Sequence, residues 1–553
     1  MATHAHTQCS CSAPTYKPRD PPSTVLHQVV REHLEHFLSF TRDNYAKPLP
    51  QYVEREFRNY LPCGDPRHGF ARVRCSRCRH EFFVPWSCKV RCVCPSCSGR
   101  RMAAQAAHVV DKVLPSVPLR QWVVSFPYEM RLLLAKQPDV LSAVLRLVMR
   151  LVVGRYVSRA RELGIENPKT GGLNVLQRFG GSLNFNPHTH LAAIDGVYSF
   201  DGATGAPTFH FIDPPTKQEL TELVHELSRR VTKMLERRGL IRDGPAADEN
   251  EQAALDACRG VSLRRARFER IDDKGQSQQQ LFADQPAGSN RKSRSPTAAD
   301  FAGFSLEAGV AISALNKQGR ERLVRYCLRG PLALERLSRL RDGSIAYRTK
   351  YGRRQRTHLV MTPVEFLARL ASLVPPPRIP LVRYFGVLAP NSPYRDRVVP
   401  KTQPHDDTHE SEKRKKKRAT NDPNESLSLC STVPNDDDGS AGRTSRYIDW
   451  ATLMKRTFGI DVLRCPKCEA RMKVIAVISQ PEVVDKILAH VGLPVEPDVL
   501  ADGCTLAFDV TGEPIPDWAV GTDPESDLHG YERGPPCAFD GVDPPCPDDV
   551  FGE

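Results

Sequence analysis

Two histidines separated by one residue, His188 and His190, lie in the stretch Asn184-Phe-Asn-Pro-His-Thr-His-Leu-Ala-Ala-Ile-Asp195. Pro187 suits the start of a strand, His188 to Ile194 is short and mostly apolar, and Asp195-Gly196 reads as the turn that ends it. Side chains alternate faces along an extended chain, so both imidazoles project the same way, about 6 to 7 Å apart. Two imidazoles at that spacing can share one metal ion, and ordinary packing residues are the plainer alternative. Two ligands do not complete a site. Gln177, Glu307 and Asp195 are the candidates for a third.

A second chemical group stands more than a hundred residues on. Arg320 to Arg329 reads as a helix whose apolar stripe is Leu323, Val324, Cys327 and Leu328. Tyr326 falls on the other side, with Arg322, Arg325 and Arg329, which is not where a core tyrosine belongs. A phenol is a poor nucleophile near neutral pH, but neighbouring guanidinium groups and a metal-polarised phosphate favour its attack as phenolate. A metal at His188 and His190 would then act as a Lewis acid on that phosphate.

The chain has 17 cysteines, seven of them between Cys63 and Cys97. Cys75-Ser-Arg-Cys78 and Cys94-Pro-Ser-Cys97 are two knuckles 15 residues apart, a spacing that matches a four-thiolate structural zinc site. Phe82-Phe83-Val84 between them reads as a strand. Cys63 and Cys88, with His68 and Cys92, are candidates for a second zinc. Cys465-Pro-Lys-Cys468 lacks a second half unless Cys504 supplies a ligand. Arg72, Arg74, Arg77, Arg79, Lys89 and Arg91 surround the first knuckles and suit contact with phosphates.

These groups need elements to hold them. The pattern predicts a helix over 25–40, a helix from Arg100 to Leu114, a strand from Trp122 to Phe126, and helices over 132–163 broken at Pro138. Leu173 to Phe179 reads as a strand turning back into the histidine stretch, which brings Gln177 and Arg178 beside it. A strand at 209–212, helices over 217–238, 318–328, 332–340 and 364–373, and a hairpin of 344–351 with 358–361 follow. The fold class expected is α+β, with a mixed or antiparallel sheet. Residues 1–24 and 494–553 read as flexible tails, 243–300 as a disordered insertion, 396–446 as a charged linker, and 447–493 as a small module.

Lys and Arg number 78 against 65 Asp and Glu, a net charge of +13 that favours an anionic partner, with nucleic acid first. No apolar run approaches the roughly 20 residues of a membrane span, and the first residues lack a secretory signal. The expectation is an intracellular protein with reduced thiols, no membrane partner and cysteines that bind metal.

The order of these motifs is specific. A cysteine-rich module, then Gln177-Arg178-Phe179-Gly180, then Pro187-His188-Thr189-His190 with Asp195-Gly196, then Arg325-Tyr326 before Arg329-Gly330-Pro331 and Glu335-Arg336-Leu337, resembles the rolling-circle transposases of the insertion-sequence-91 family, within the HUH single-strand endonucleases. The resemblance spans about Val25 to Ala389 and Asp449 to Leu493. It implies a zinc-binding, DNA-contacting domain over 25–114 and an HUH endonuclease domain over 115–395. It implies that His188 and His190 bind catalytic Mg2+ or Mn2+, and that Tyr326 cuts one strand of DNA, becoming linked to its 5′ phosphate and freeing a 3′ hydroxyl. Arg178, Arg322, Arg325 and Arg329 would hold single-stranded transposon ends and target, in the bacterial cytoplasm at the nucleoid. The residues four before and four after Tyr326 are Arg322 and Gly330, so the resemblance is to a single-tyrosine enzyme. Thr189 departs from the bulky apolar residue usual between the histidines. Replication initiators and relaxases share this chemistry, a metallohydrolase would leave Tyr326 idle, and a zinc-dependent regulator without catalysis would leave the histidines idle.

Overall fold

The structure, a computed structural model, describes residues 16, 19–240, 253–263, 267–271, 277–278, 295–349, 358–400 and 450–495. The expected linker at 396–446 and the tails at 1–24 and 494–553 lie largely outside these residues, and Cys504 lies wholly outside them.

The chain begins with α1 (Val25–Asn44) and α2 (Gln51–Tyr60), the hairpin β1 (Phe70–Cys75) and β2 (Glu81–Pro85), and α3 (Pro95–Lys112). α1 starts where the Thr24 hydroxyl accepts the His27 N–H, and its buried Leu26, Val29, Val30, Leu34, Phe37 and Leu38 are the stripe expected from their spacing. Next come β3 (Leu119–Ser125), α4 (Met130–Lys136), α5 (Pro138–Glu162), β4 (Gly171–Phe179), β5 (Phe185–Ile194), β6 (Gly196–Phe200), β7 (Pro207–Phe211) and α6 (Lys217–Arg237). Pro138 divides α4 from α5 as expected. In the first turn of α5 its missing N–H leaves no helical bond unmade.

The stretch expected as a disordered insertion contains α7 (Ala254–Leu263), β8 (Arg267–Ile271) and β9 (Ser277–Gln278). This corrects the sequence reading for those residues. Ala254, Leu255 and Cys258 of α7 are buried in the cluster that also holds Phe366 and Leu370, so a short apolar face found a partner despite its polar flanks.

The chain continues through β10 (Ala298–Phe301), β11 (Phe304–Glu307), β12 (Ala311–Ile312), α8 (Lys317–Leu328), β13 (Leu337–Arg339), β14 (Ile345–Arg348), β15 (His358–Met361), α9 (Pro363–Leu373), β16 (Val382–Gly386) and α10 (Arg395–Val398). The helix expected at 332–340 is instead a single 3-10 turn followed by β13, which pairs with β14. Sheet pairing overrides helical propensity there. The described chain ends with α11 (Trp450–Phe458), β17 (Met472–Ile478) and α12 (Pro481–His490).

The central sheet runs β10-β11-β3-β5-β4-β16, with β12 beside β3 and every pair antiparallel. β5 is therefore flanked on both sides. One face, with Trp122, Leu176, Leu191 and Ala193, packs against Val144, Val148 and Tyr156 of α5 and Leu220 and Val224 of α6. The other, with Leu119, Leu173, Val175, Ala192 and Ile194, packs against Val109 and Val110 of α3 and Leu323, Val324 and Cys327 of α8. The α+β class holds. A second sheet runs β13-β14-β15-β8-β9.

The small module expected at 447–493 is not separate. β17 forms the edge of the first hairpin's sheet, in the order β17-β1-β2, pairing from Phe70 with Ile478 to Cys75 with Met472.

Candidate active site and cysteine clusters

Residues 188, 190, 192 and 194 of β5 share the face covered by α3 and α8, as strand alternation requires. The rings of His188 and His190 are 4.9 Å apart between centroids. Tyr326 lies in the last turn of α8, and its ring meets that of His190 edge-on at 5.5 Å. Helix and strand thus bring together groups more than a hundred residues apart. Arg329, just past α8, stacks its guanidinium 4.9 Å from the Tyr326 ring centroid and 5.6 Å from that of Phe179.

Both imidazoles are held neutral. Burial lowers the pKa of His188 below its ordinary value, and burial with the neighbouring His188 and Arg329 lowers that of His190 further. His188 donates from Nδ1 to the Asn186 carbonyl at 2.8 Å, which leaves its Nε2 lone pair available. The Gln121 amide lies 2.8 Å from His190 Nδ1. The amide nitrogen is the atom that faces Nδ1, and the Nε2 of His190 is buried with no hydrogen-bond partner. Neutral histidines with an orphaned ring nitrogen fit a metal ligand pair.

The candidate third ligands separate clearly. Asp195 is on the opposite face, where Arg120 donates to both its oxygens at 2.9 and 2.8 Å and the Tyr156 hydroxyl donates at 2.9 Å. It is a structural anchor, which removes it from the metal site. Gln177 is paired directly across from His188. Its amide nitrogen donates to the carbonyls of Tyr326 (3.0 Å) and Cys327 (2.7 Å), while its Oε1 is buried without a hydrogen-bond partner. Glu307 pairs with Val123, which pairs with His190, so it stands on the same face two strands away, about 10 Å by strand spacing.

Thr189 points to the other face, where its hydroxyl bonds to Asn174 Oδ1 and the Val175 carbonyl. The arginines expected to touch DNA divide as well. Arg178 is 5% exposed and lies over the Phe185 ring, and burial with the charge of Arg259 lowers its pKa to about 10, so its expected DNA contact is corrected to a place in the core. Arg325 donates to the Thr457 carbonyl at 3.3 Å, Arg322 is half-buried, and Arg329 sits over the tyrosine.

The cysteines form two groups, each of four sulfurs within 4.8 Å of one another. Cys63, Cys88, Cys94 and Cys97 make the first, and Cys75, Cys78, Cys465 and Cys468 the second. The expected single site of Cys75, Cys78, Cys94 and Cys97 is therefore corrected: the two knuckles belong to different clusters. Cys63 and Cys88 join the second knuckle. Cys92 and His68 are in neither cluster. Sulfur separations of 3.5 to 3.8 Å in the first group and 3.4 and 3.5 Å in the second match the roughly 3.8 Å between thiolates sharing a zinc at 2.3 Å. They are far from the roughly 2.05 Å of a disulfide.

Local structure explains the division. In the second cluster both knuckles are alike: Cys75 N–H bonds to the His80 carbonyl and Cys465 N–H to that of Ala470, and Arg79 (φ 60°) and Glu469 (φ 62°) each take the left-handed turn that follows. Each then leads into a strand. Cys94 instead is the N-cap of α3, so its knuckle is the opening of a helix. Arg19 donates to the Cys63 carbonyl (2.5 Å) and sulfur (3.2 Å), so the described end of the supposed N-terminal tail is tied to the first cluster. Gln121 and this pairing are what the sequence reading missed. A polar residue inside an otherwise apolar strand needs a buried partner, and that was the available signal for Gln121.

Residues 29–126 match a family described as a transposase zinc-binding domain, and residues 171–395 match one described as a putative transposase. A curated relative, the transposase for insertion sequence element IS801 from Pseudomonas savastanoi pv. phaseolicola, is 28% identical over 152 residues, which is 27% of this chain and 35% of that protein. The matched part thus spans about a third of the relative's length. No solved structure matches the chain. Two adjoining domains of this kind, one carrying cysteine clusters and the other the histidine strand, define a transposase with its own zinc-binding domain. The chain is thus similar, over both matched regions, to transposases of the insertion-sequence-91 kind. No helix among the described residues is long and apolar enough to cross a membrane.

Proposed function

We propose that the protein cuts and transfers single-stranded DNA through Tyr326, as an HUH-type endonuclease of rolling-circle transposition acting at the bacterial nucleoid. The observation that carries this reading is the 5.5 Å edge contact between Tyr326 and His190, whose Nε2 is buried and without a partner. His188 and His190 hold Mg2+ or Mn2+, with Gln177 Oε1 as the third protein ligand because it lies across from His188 and is itself unpartnered. Bound there, the cation supplies Lewis acidity to the scissile phosphate.

The chain's own residues do the rest. Tyr326 oxygen attacks phosphorus; one P–O bond forms as the bond to the 3′ oxygen breaks, so the phenol loses a proton and the leaving oxygen gains one. Arg329, stacked on the phenol, offers positive charge to phenolate and phosphate together. Gln177 grips the carbonyls of Tyr326 and Cys327, which fixes the nucleophile relative to β5. Exposed Arg77, Arg79 and Lys89 beside the cysteine clusters guide the strand by contacts with its backbone. One tyrosine then serves both cutting and rejoining, and the two cysteine clusters hold structural zinc.

Tyr326→Phe tests the reading. Incubated with a labelled single-stranded element end and Mn2+, the wild type forms a protein–DNA adduct that survives denaturation. The variant should form none while binding the oligonucleotide within about twofold of wild type. An adduct of undiminished yield would rule the reading out.

A further inference from the structure

The second cysteine cluster draws its ligands from both ends of the described chain. Cys75 and Cys78 lie within residues 29–126, matched as a zinc-binding domain, whereas Cys465 and Cys468 lie outside both family matches. The cluster closes a sheet in which β17 adds to β1, and it is packed among Val73, Val84, Trp450, Met454 and Met472. Four sulfurs on two like knuckles make a complete tetrahedral set with no position left for water, which is the design of a structural zinc.

What this closure holds in place is α11. Leu453 of α11 is buried against Ala103, Ala104 and Ala107 of α3, whose other side packs on α8. Three residues on, Arg456 bridges two carboxylates: its guanidinium bonds to Asp111 at the end of α3 (3.2 Å from Nη2) and to Glu321 in α8 (2.7 and 3.0 Å). Next to it, the Thr457 carbonyl accepts from Arg325, the residue before Tyr326. α11 therefore contacts the tyrosine helix at two points one turn apart, Glu321 and Arg325. A partly buried guanidinium shared by two carboxylates fixes geometry in a way that an isolated surface pair does not.

We infer that Cys75, Cys78, Cys465 and Cys468 form a split zinc site joining the first hairpin to the segment 450–495, and that Arg456, on the helix this site secures, is a positioning residue for the tyrosine helix α8. Zinc at this site orders 450–495 against 70–85, and Arg456 passes that order to α8.

The test uses the full-length protein and two measurements independent of catalysis. Zinc content by elemental analysis should be two per chain in the wild type and one in the Cys465→Ser/Cys468→Ser variant. Hydrogen exchange of peptides covering 317–328 should be at least about tenfold faster in that variant. Arg456→Ala retains both clusters, so it should keep two zincs yet show the same faster exchange in α8, and Arg456→Lys should restore most of the protection. One zinc in the wild type, or two in the cysteine variant, overturns the split site. Unchanged α8 exchange in Arg456→Ala overturns the positioning role. If the cysteine variant does not fold, the wild-type zinc count and the Arg456 pair still decide both points.

Discussion

His188 and His190 are buried bases kept neutral, and that has a consequence for stability. Both have pKa values lowered from 6.5, so an unfolded chain takes up protons near pH 6.5 that the folded chain refuses. Their contribution is therefore full above pH 6.5 and falls as pH drops from there toward their lower folded values. Chemical denaturation of metal-free protein at pH 7.5 and 5.5 should show a loss at the lower pH that shrinks in His188→Ala/His190→Ala; an equal loss in both would contradict it. At this scale the sequence was informative where chemistry is local. Strand alternation put both histidines on one face, and the helix stripe put Tyr326 off the core. It was uninformative where a side chain's partner is remote. Asp195 looks like a ligand beside the histidines, yet strand parity turns it toward Arg120 and Tyr156. Arg178 looks like a phosphate contact, yet the same parity buries it.

The elements set the distances that the residues need. β5 is the inner strand between β3 and β4, so the polar side chains near its histidines come from both neighbours: Gln121 from β3 and Gln177 from β4. α8 lies over this face with α3 beside it, joined by Lys317 to Asp111 at one end and by the close approach of Gly330 to Ser98 at the other. A side chain at Gly330 would meet Ser98 Cβ at 2.9 Å, which accounts for glycine there. Helix periodicity and proline placement made these elements legible. α7 and β13 were not, because their short apolar runs gain meaning only from distant partners. Leu453→Ala tests the seat of α11: the side chain is 2% exposed against three alanines, so its loss should cost about 2 to 5 kcal/mol of stability in denaturant unfolding. A change under about 0.5 kcal/mol would mean that α11 does not depend on this contact.

Across the whole molecule, the two cysteine clusters bracket the tyrosine helix. The first, with Cys94 and Cys97 at the start of α3, lies beside Ser98 and thus near the end of α8; the second holds α11 against Glu321 and Arg325. The sequence could not show this division. Spacing favours the pairing of nearest knuckles, and nothing local indicates that Cys75 and Cys78 are completed by cysteines almost four hundred residues later. The signal available in retrospect was that the knuckles at 75–78 and 465–468 each run into a strand, while that at 94–97 runs into a helix. The net charge of +13 favours an anionic partner.

The central claim is that Tyr326 becomes joined to DNA at a metal site built on His188 and His190. The most direct measurement is to incubate the wild-type protein with a single-stranded element end and Mn2+, digest the adduct, and identify the modified residue by mass spectrometry. The account predicts a nucleotide joined through its 5′ phosphate to the Tyr326 oxygen, a product that a metal chelator abolishes. A nucleotide on any other residue, or bound oligonucleotide with no covalent product, would contradict it.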